Sequence, residues 1–173
     1  MPEKIFLETA EHDAQLLVQS LRKKGKTAAI AESCTAGLVA DLLVQIPGAS
    51  EVFWGSFVCY TVQAKISMLG LDSQRLGQYG PVSKETACDM AQAALAASSA
   101  FIAAAVTGVA GPDGDGIETP AGTIWIATVK RAASPLAKKF NFCGSRNEIR
   151  NRAAHEVIRE LLNILDRNTE NQV

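Results

Sequence analysis

The stretch that most constrains the fold of this chain is "KTAAIAESCTAGLVADLLVQIPG", residues 26–48. "TAAIAE" (27–32) is a short apolar run, the length of a buried strand. "SCTAGLVADLLVQI" (33–46) opens on small hydroxyl residues and continues as an apolar helix, which Pro47 and Gly48 end. A buried strand that feeds a helix through a tight turn is the building unit of α/β proteins.

The rest of the chain keeps this alternation. "ETAEHDAQLLVQSLRKKG" (8–25) reads as a helix, with Ala10, Ala14, Leu17 and Leu21 at helical spacing and Gly25 as its C-terminal stop. "EVFWGSFVCYT" (51–61) is aromatic and branched, hence strand, with a bend expected at Gly55. "VQAKISML" (62–69) reads as a short helix, and "SKETACDMAQAALAAS" (83–98) as a longer one with Ser83 at its N-cap. "AFIAAAV" (100–106), "TIWIATVK" (123–130) and "KKFNFC" (138–143) are strands. "SRNEIRNRAAHEVIRELLNIL" (145–165) closes the series as a helix. Ser145 and Glu148 form its capping box, and Ile149, Ala153, Val157, Leu161 and Leu165 make one apolar stripe. The order α-β-α-β-α-α-β-β-β-α predicts a three-layer α/β/α sandwich with a mixed, mostly parallel sheet, as a single domain over residues 1–173.

Composition narrows the function classes. Hydrophobic residues make up 47% of the 173 and charged residues 20%, and the net charge is −1. Clustered cations are missing, which argues against nucleic acid as the main partner. The opening "MPEKIFLETAEHD" lacks a signal-peptide core, and "AALAASSAFIAAAV" (93–106) is too short to span a bilayer. Cys34, Cys59, Cys88 and Cys143 form no CxxC pair, so no metal site is expected and the thiols read as reduced, in a cytoplasmic protein.

Ligands of such sheets bind beyond the carboxyl ends of the strands. Three segments qualify. "AESCTAG" (31–37) offers helix N-terminal N–H groups with Ser33 and Thr35, either as an anion site or as a plain N-cap. "TGVAGPDGDG" (107–116) has Gly108, Gly111, Gly114 and Gly116, but neither a P-loop nor a dinucleotide pattern, and its calcium-loop likeness fails at Ile124. "PGASEVFWGSFVCYTVQAK" (47–65) holds Ser50, Tyr60 and Lys65 but no histidine. A serine nucleophile there needs a lysine as base, and the spacing permits contact without requiring it.

Taken together, "AESCTAGLVADLL", "IPGASEVFWGSFVCYTVQAKISMLGL", "YGPVSKETACDMA", "VTGVAGPDGDG", "ETPAGTIWIA" and "FCGSRNEIRNRAA" resemble the CinA-like family of bacterial proteins from about residue 27 to 160. The resemblance implies a serine/lysine amidohydrolase without metal or cofactor. Its substrate would be nicotinamide mononucleotide (NMN), converted to nicotinic acid mononucleotide and ammonia. On the family pattern Ser50, Tyr60, Lys65, Thr107, Arg146 and Ser33 fall on active-site positions. Ser50 is taken as nucleophile and Lys65 as base, with Ser33 the second candidate nucleophile. Arg146 would hold the phosphate, Thr107 and Tyr60 would orient substrate, and Gly108 or the Thr35 loop would supply backbone donors. Two departures stand out: Ala36 replaces a glycine, and Val62 replaces a polar residue. The alternative is a nucleotide- or phosphate-binding module without catalysis. Analogy of fold suggests a homodimer.

Overall fold

The computed structural model describes residues 3–114 and 119–166, with side chains from residue 8 onward. Gly116 of the glycine-rich loop lies outside the described residues. The first helix, α1 (Glu3–Lys24), ends as its sequence requires. Gly25 takes φ +59°, and the N–H groups of Gly25 and Lys26 donate to the carbonyls of Arg22 and Leu21, each at 3.0 Å. A residue with a Cβ would resist that left-handed turn.

The remaining elements are β1 (Ala28–Glu32), α2 (Leu38–Val44), β2 (Phe53–Val58), α3 (Val62–Leu69), α4 (Ser73–Tyr79), α5 (Lys84–Ser98), β3 (Ile102–Gly108), β4 (Thr123–Lys130), β5 (Leu136–Asn141) and α6 (Arg146–Asp166). A 3₁₀ turn, Ala49–Glu51, precedes β2. The expected caps are present. Ser83 Oγ accepts from the Thr86 N–H at 3.1 Å. The Ser145 N–H donates to Glu148 Oε2 at 2.8 Å, and the Glu148 N–H donates back to Ser145 Oγ at 3.5 Å.

The five strands form one mixed sheet in the order β2-β1-β3-β4-β5. β1 is parallel to both β2 and β3, and β4 is antiparallel to both β3 and β5, so β4 alone runs against the other four. The expected bend at Gly55 coincides with the register shift opposite Ala28 and Ala29.

Alternate strand residues serve two cores, as the two-residue period of a strand requires. Ala28, Ile30, Ile102, Ala104, Val106, Ile124 and Ile126 pack with α1, α2 and α6. Ala29, Ala31, Ala103, Ala105, Ala127 and Val129 face Ala87, Met90, Ala91 and Ala94 of α5, with Leu76 of α4. The result is the three-layer α/β/α sandwich. The chain leaves β1 by α2 on one face to reach β2, and leaves β2 by α3–α5 on the other face to reach β3. Connections therefore diverge at β1 and β3, the crevice where open α/β sheets bind ligands.

Candidate active site

The site begins at the end of β1. Glu32 is wholly buried, and its carboxylate accepts five hydrogen bonds. The donors are Thr35 Oγ1 at 2.8 Å, the N–H groups of Gly37 (2.8 Å), Val39 (3.1 Å) and Ala40 (3.0 Å), and Ser56 Oγ at 2.9 Å. The carboxylate thus folds residues 35–40 around itself. It also sits at the positive end of α2, where the helix dipole favours an anion. This is why α2 starts at Leu38 rather than at residue 33: the intervening residues wrap Glu32, with Ala36 at φ +51° and Gly37 at φ +97°.

That loop carries Ser33, whose N–H donates to the Val106 carbonyl of β3 at 3.0 Å. Its hydroxyl meets Lys65, brought from α3. Thr61 caps this helix, its Oγ1 accepting from the Ala64 N–H at 3.1 Å. Lys65 is only 2% exposed, and its Nζ donates to Ser33 Oγ at 2.8 Å and to the Cys59 carbonyl at 3.1 Å. Burial holds the Lys65 ammonium below its ordinary value of 10.5, against the opposing influence of the Cys59 and Cys34 thiols. No carboxylate pairs with Lys65 among the described residues; Glu32, the nearby buried acid, is engaged by its five donors.

Ser33 and Lys65 form the floor of a cleft of about 250 Å³ whose walls include Tyr60, Val62, Val82, Thr107, Gly108 and Arg146. Thr107 is buried, and its Oγ1 donates to the Pro81 carbonyl at 2.7 Å, tying the α4–α5 loop to the cleft. Gly108 permits close pairing of β3 with β4: a Cβ there would stand 2.5 Å from the Thr123 carbonyl oxygen. At the mouth, Arg146 donates to Tyr60 Oη at 2.8 Å and to the Gly111 carbonyl at 2.7 Å. Cys34 also lines the cleft, and burial pushes its thiol up to about 12, so it stays protonated at neutral pH.

Two expected residues stand elsewhere. Ser50 is exposed in the 3₁₀ turn before β2, whereas the cleft lies beyond the far end of that strand. A six-residue strand puts about 20 Å between the two ends. The structure thus brings Ser33, not Ser50, to Lys65. Thr35, expected to contact substrate, is wholly buried with its hydroxyl on Glu32. Of the loop's backbone donors, Ala36 N–H already serves Ser33 O, and Gly37, Val39 and Ala40 serve Glu32. Sequence reasoning passed over Glu32 and Arg150. Arg150 donates from Nε to the Cys34 carbonyl at 3.1 Å and from Nη2 to the Thr35 carbonyl at 2.9 Å. Both left a trace: Glu32 is an acid closing an apolar strand, and Arg150 lies four residues after Arg146, on the same helix face.

An α/β/α domain with a polar cleft at its switch point is a class shared by many enzymes and binding modules. Here the class resolves further, because residues 10–165 match the CinA C-terminal domain, and the chain belongs to that family. It is 37% identical over 143 residues to the nicotinamide-nucleotide amidohydrolase PncC of Escherichia coli, covering 83% of this chain and 87% of that protein. It is 39% identical to a CinA-like protein of Kosmotoga olearia over 81% of this chain, and 36% identical to one of Thermotoga maritima over 93%. The chain spans only 34% and 41% of the lengths of those two longer relatives. Among solved structures, competence/damage inducible protein CihA from Agrobacterium tumefaciens superposes with a TM-score of 0.87 at 38% identity, covering 92% of this chain and 96% of that one.

Proposed function

We propose that this chain hydrolyses the carboxamide of NMN, giving nicotinic acid mononucleotide and ammonia, with Ser33 as nucleophile and Lys65 as general base. The observation that carries the reading is the 2.8 Å contact between Lys65 Nζ and Ser33 Oγ on the floor of the cleft. The likeness to an amidohydrolase of nicotinamide nucleotide supports the substrate. This reading replaces Ser50 with Ser33.

The chemistry follows from the state of Lys65. Once neutral, its Nζ accepts the Ser33 hydroxyl proton, and the 2.8 Å contact reverses its donor. Ser33 Oγ attacks the carboxamide carbon. The resulting Lys65 ammonium returns the proton to the amide nitrogen, the C–N bond breaks and ammonia leaves. A water molecule, deprotonated by Lys65, then attacks the acyl ester; the C–Oγ bond breaks, the proton returns to Ser33, and the acid is released. The nucleophile and base both come from the chain, so the activity should survive EDTA. Arg146 at the mouth offers the N–H groups not engaged by Tyr60 and Gly111 to the phosphate, for which guanidinium geometry is suited. Tyr60 and Thr107 shape the walls.

The four free cysteines support a reducing, cytoplasmic setting. Exposed Trp54 and Val58 on the edge strand β2 support a homodimer, which light scattering would test by its mass. The deciding assay is ammonia release from NMN by the purified protein. NMN binding without any release would favour the non-catalytic nucleotide-binding module instead.

A further inference from the structure

Arg150 is a half-buried cation that pairs with no carboxylate among the described residues. Apart from Asn147 Oδ1 at 3.4 Å, the acceptors recorded for it are the carbonyls of Cys34 and Thr35, 116 and 115 residues away in sequence. Those are the two residues directly after Ser33. Cys34 is 4% exposed and Thr35 wholly buried, so their carbonyls have little recourse to water.

Across the same loop stands Glu32, which gathers N–H groups and hydroxyls. The loop is therefore gripped from its two polar sides: an anion holds its donors and a cation holds its acceptors. A guanidinium suits the second task because its planar fork reaches two oxygens at once. The grip also joins α6 to the Ser33 loop, and α6 carries Arg146 one turn earlier at the cleft mouth.

We infer that Arg150 is a positioning residue: by bridging the Cys34 and Thr35 carbonyls it holds Ser33 Oγ on Lys65 Nζ. The inference rests on Ser33 as nucleophile, and its test is built to separate the two. Arg150→Met keeps the length of the stem and removes every donor. Its kcat on NMN should fall on the order of 10- to 100-fold, because small misplacements of a reacting group have that effect. KM should stay within about threefold, since Arg150 is not among the cleft-lining residues. Arg150→Lys keeps the charge but loses the fork, and should fall between wild type and Arg150→Met.

A second readout needs no catalysis. Cys34 is buried beside Ser33, whereas Cys143 is exposed. Alkylation by iodoacetamide, mapped by mass spectrometry, should accelerate about tenfold or more at Cys34 in Arg150→Met as the loop opens locally, with Cys143 unchanged as the internal standard. If Arg150→Met folds poorly, Arg150→Lys carries the same two measurements. Wild-type kcat together with wild-type protection of Cys34 would overturn the inference. So would Arg150→Lys behaving as wild type, because charge alone would then suffice. Absence of NMN turnover by the native protein would sink the proposed function, while Cys34 protection would still decide the role of Arg150.

Discussion

At the scale of single residues, the defining choice is a buried lysine with no carboxylate partner among the described residues. Its burial makes the neutral amine accessible, and the same burial disfavours the folded state. The sign follows from linkage. The folded value of Lys65 lies below its ordinary 10.5, so between the two the unfolded chain binds the extra proton and stability rises with pH. Below the folded value the penalty is present in full; above 10.5 it is gone. Lys65→Met should therefore be inactive yet more stable at neutral pH, with Tm raised by about 2–4 °C, the shift that ~1 kcal/mol gives a domain of this size. That gain should shrink as the pH approaches 10.5, and a loss of Tm at every pH would contradict the argument. Lys65→Arg should lose about 10²–10⁴-fold in kcat/KM, since guanidinium cannot act as a base. Ser33→Ala should lose roughly a million-fold, the scale seen when a serine hydrolase loses its nucleophile. Ser50→Ala should stay within about twofold of wild type. The reverse pattern in these two serine variants would return the nucleophile to the turn before β2.

At the scale of elements, the connection from β1 to α2 carries local strain. Ala36 adopts φ +51°, where a Cβ costs about 1–2 kcal/mol, and glycine would avoid that while adding about 0.5–1 kcal/mol of chain entropy in the unfolded state. Ala36→Gly should thus raise stability by up to about 1 kcal/mol, read from the urea midpoint at unchanged m-value. A lowered midpoint would place the strain elsewhere. This connection also marks where sequence reading ran out. The ends of α1, α5 and α6 were legible because caps are local chemistry: Gly25, Ser83 and Ser145 each act within a few residues. The start of α2 was not, because Glu32 recruits five donors through space, one of them Ser56 on β2. α4 is seven residues long with Gly77 inside, too short and too weakly periodic to stand out. The Ser33–Lys65 contact joins positions 32 residues apart, and spacing alone admitted Ser50 equally well. Only the parallel register of β1 with β2 separates the two, since it sends the ends of both strands to one side of the sheet.

At the scale of the whole molecule, the two faces of the sheet are built from different side chains. Ile30, Ile102, Ile124 and Ile126 fill one side, against the leucines of α1 and α6. Alanines fill most of the other: Ala29, Ala31, Ala103 and Ala105 meet Ala87, Ala91 and Ala94 of α5. Ile126→Val should remove about 0.5–1.5 kcal/mol, whereas Ala103→Val should cost about 1–3 kcal/mol by overfilling, both measurable by urea denaturation. Equal tolerance of the two changes would mean that α5 can back away from the sheet. If it cannot, the two faces will drift by different rules as the gene accumulates change. The isoleucine face can trade volume in either direction and be repaired by a neighbour. The alanine face has almost no volume to give up and no space to gain it, so its history should be one of near-silence: exchanges among alanine, serine and glycine, with larger residues admitted only when α5 itself moves.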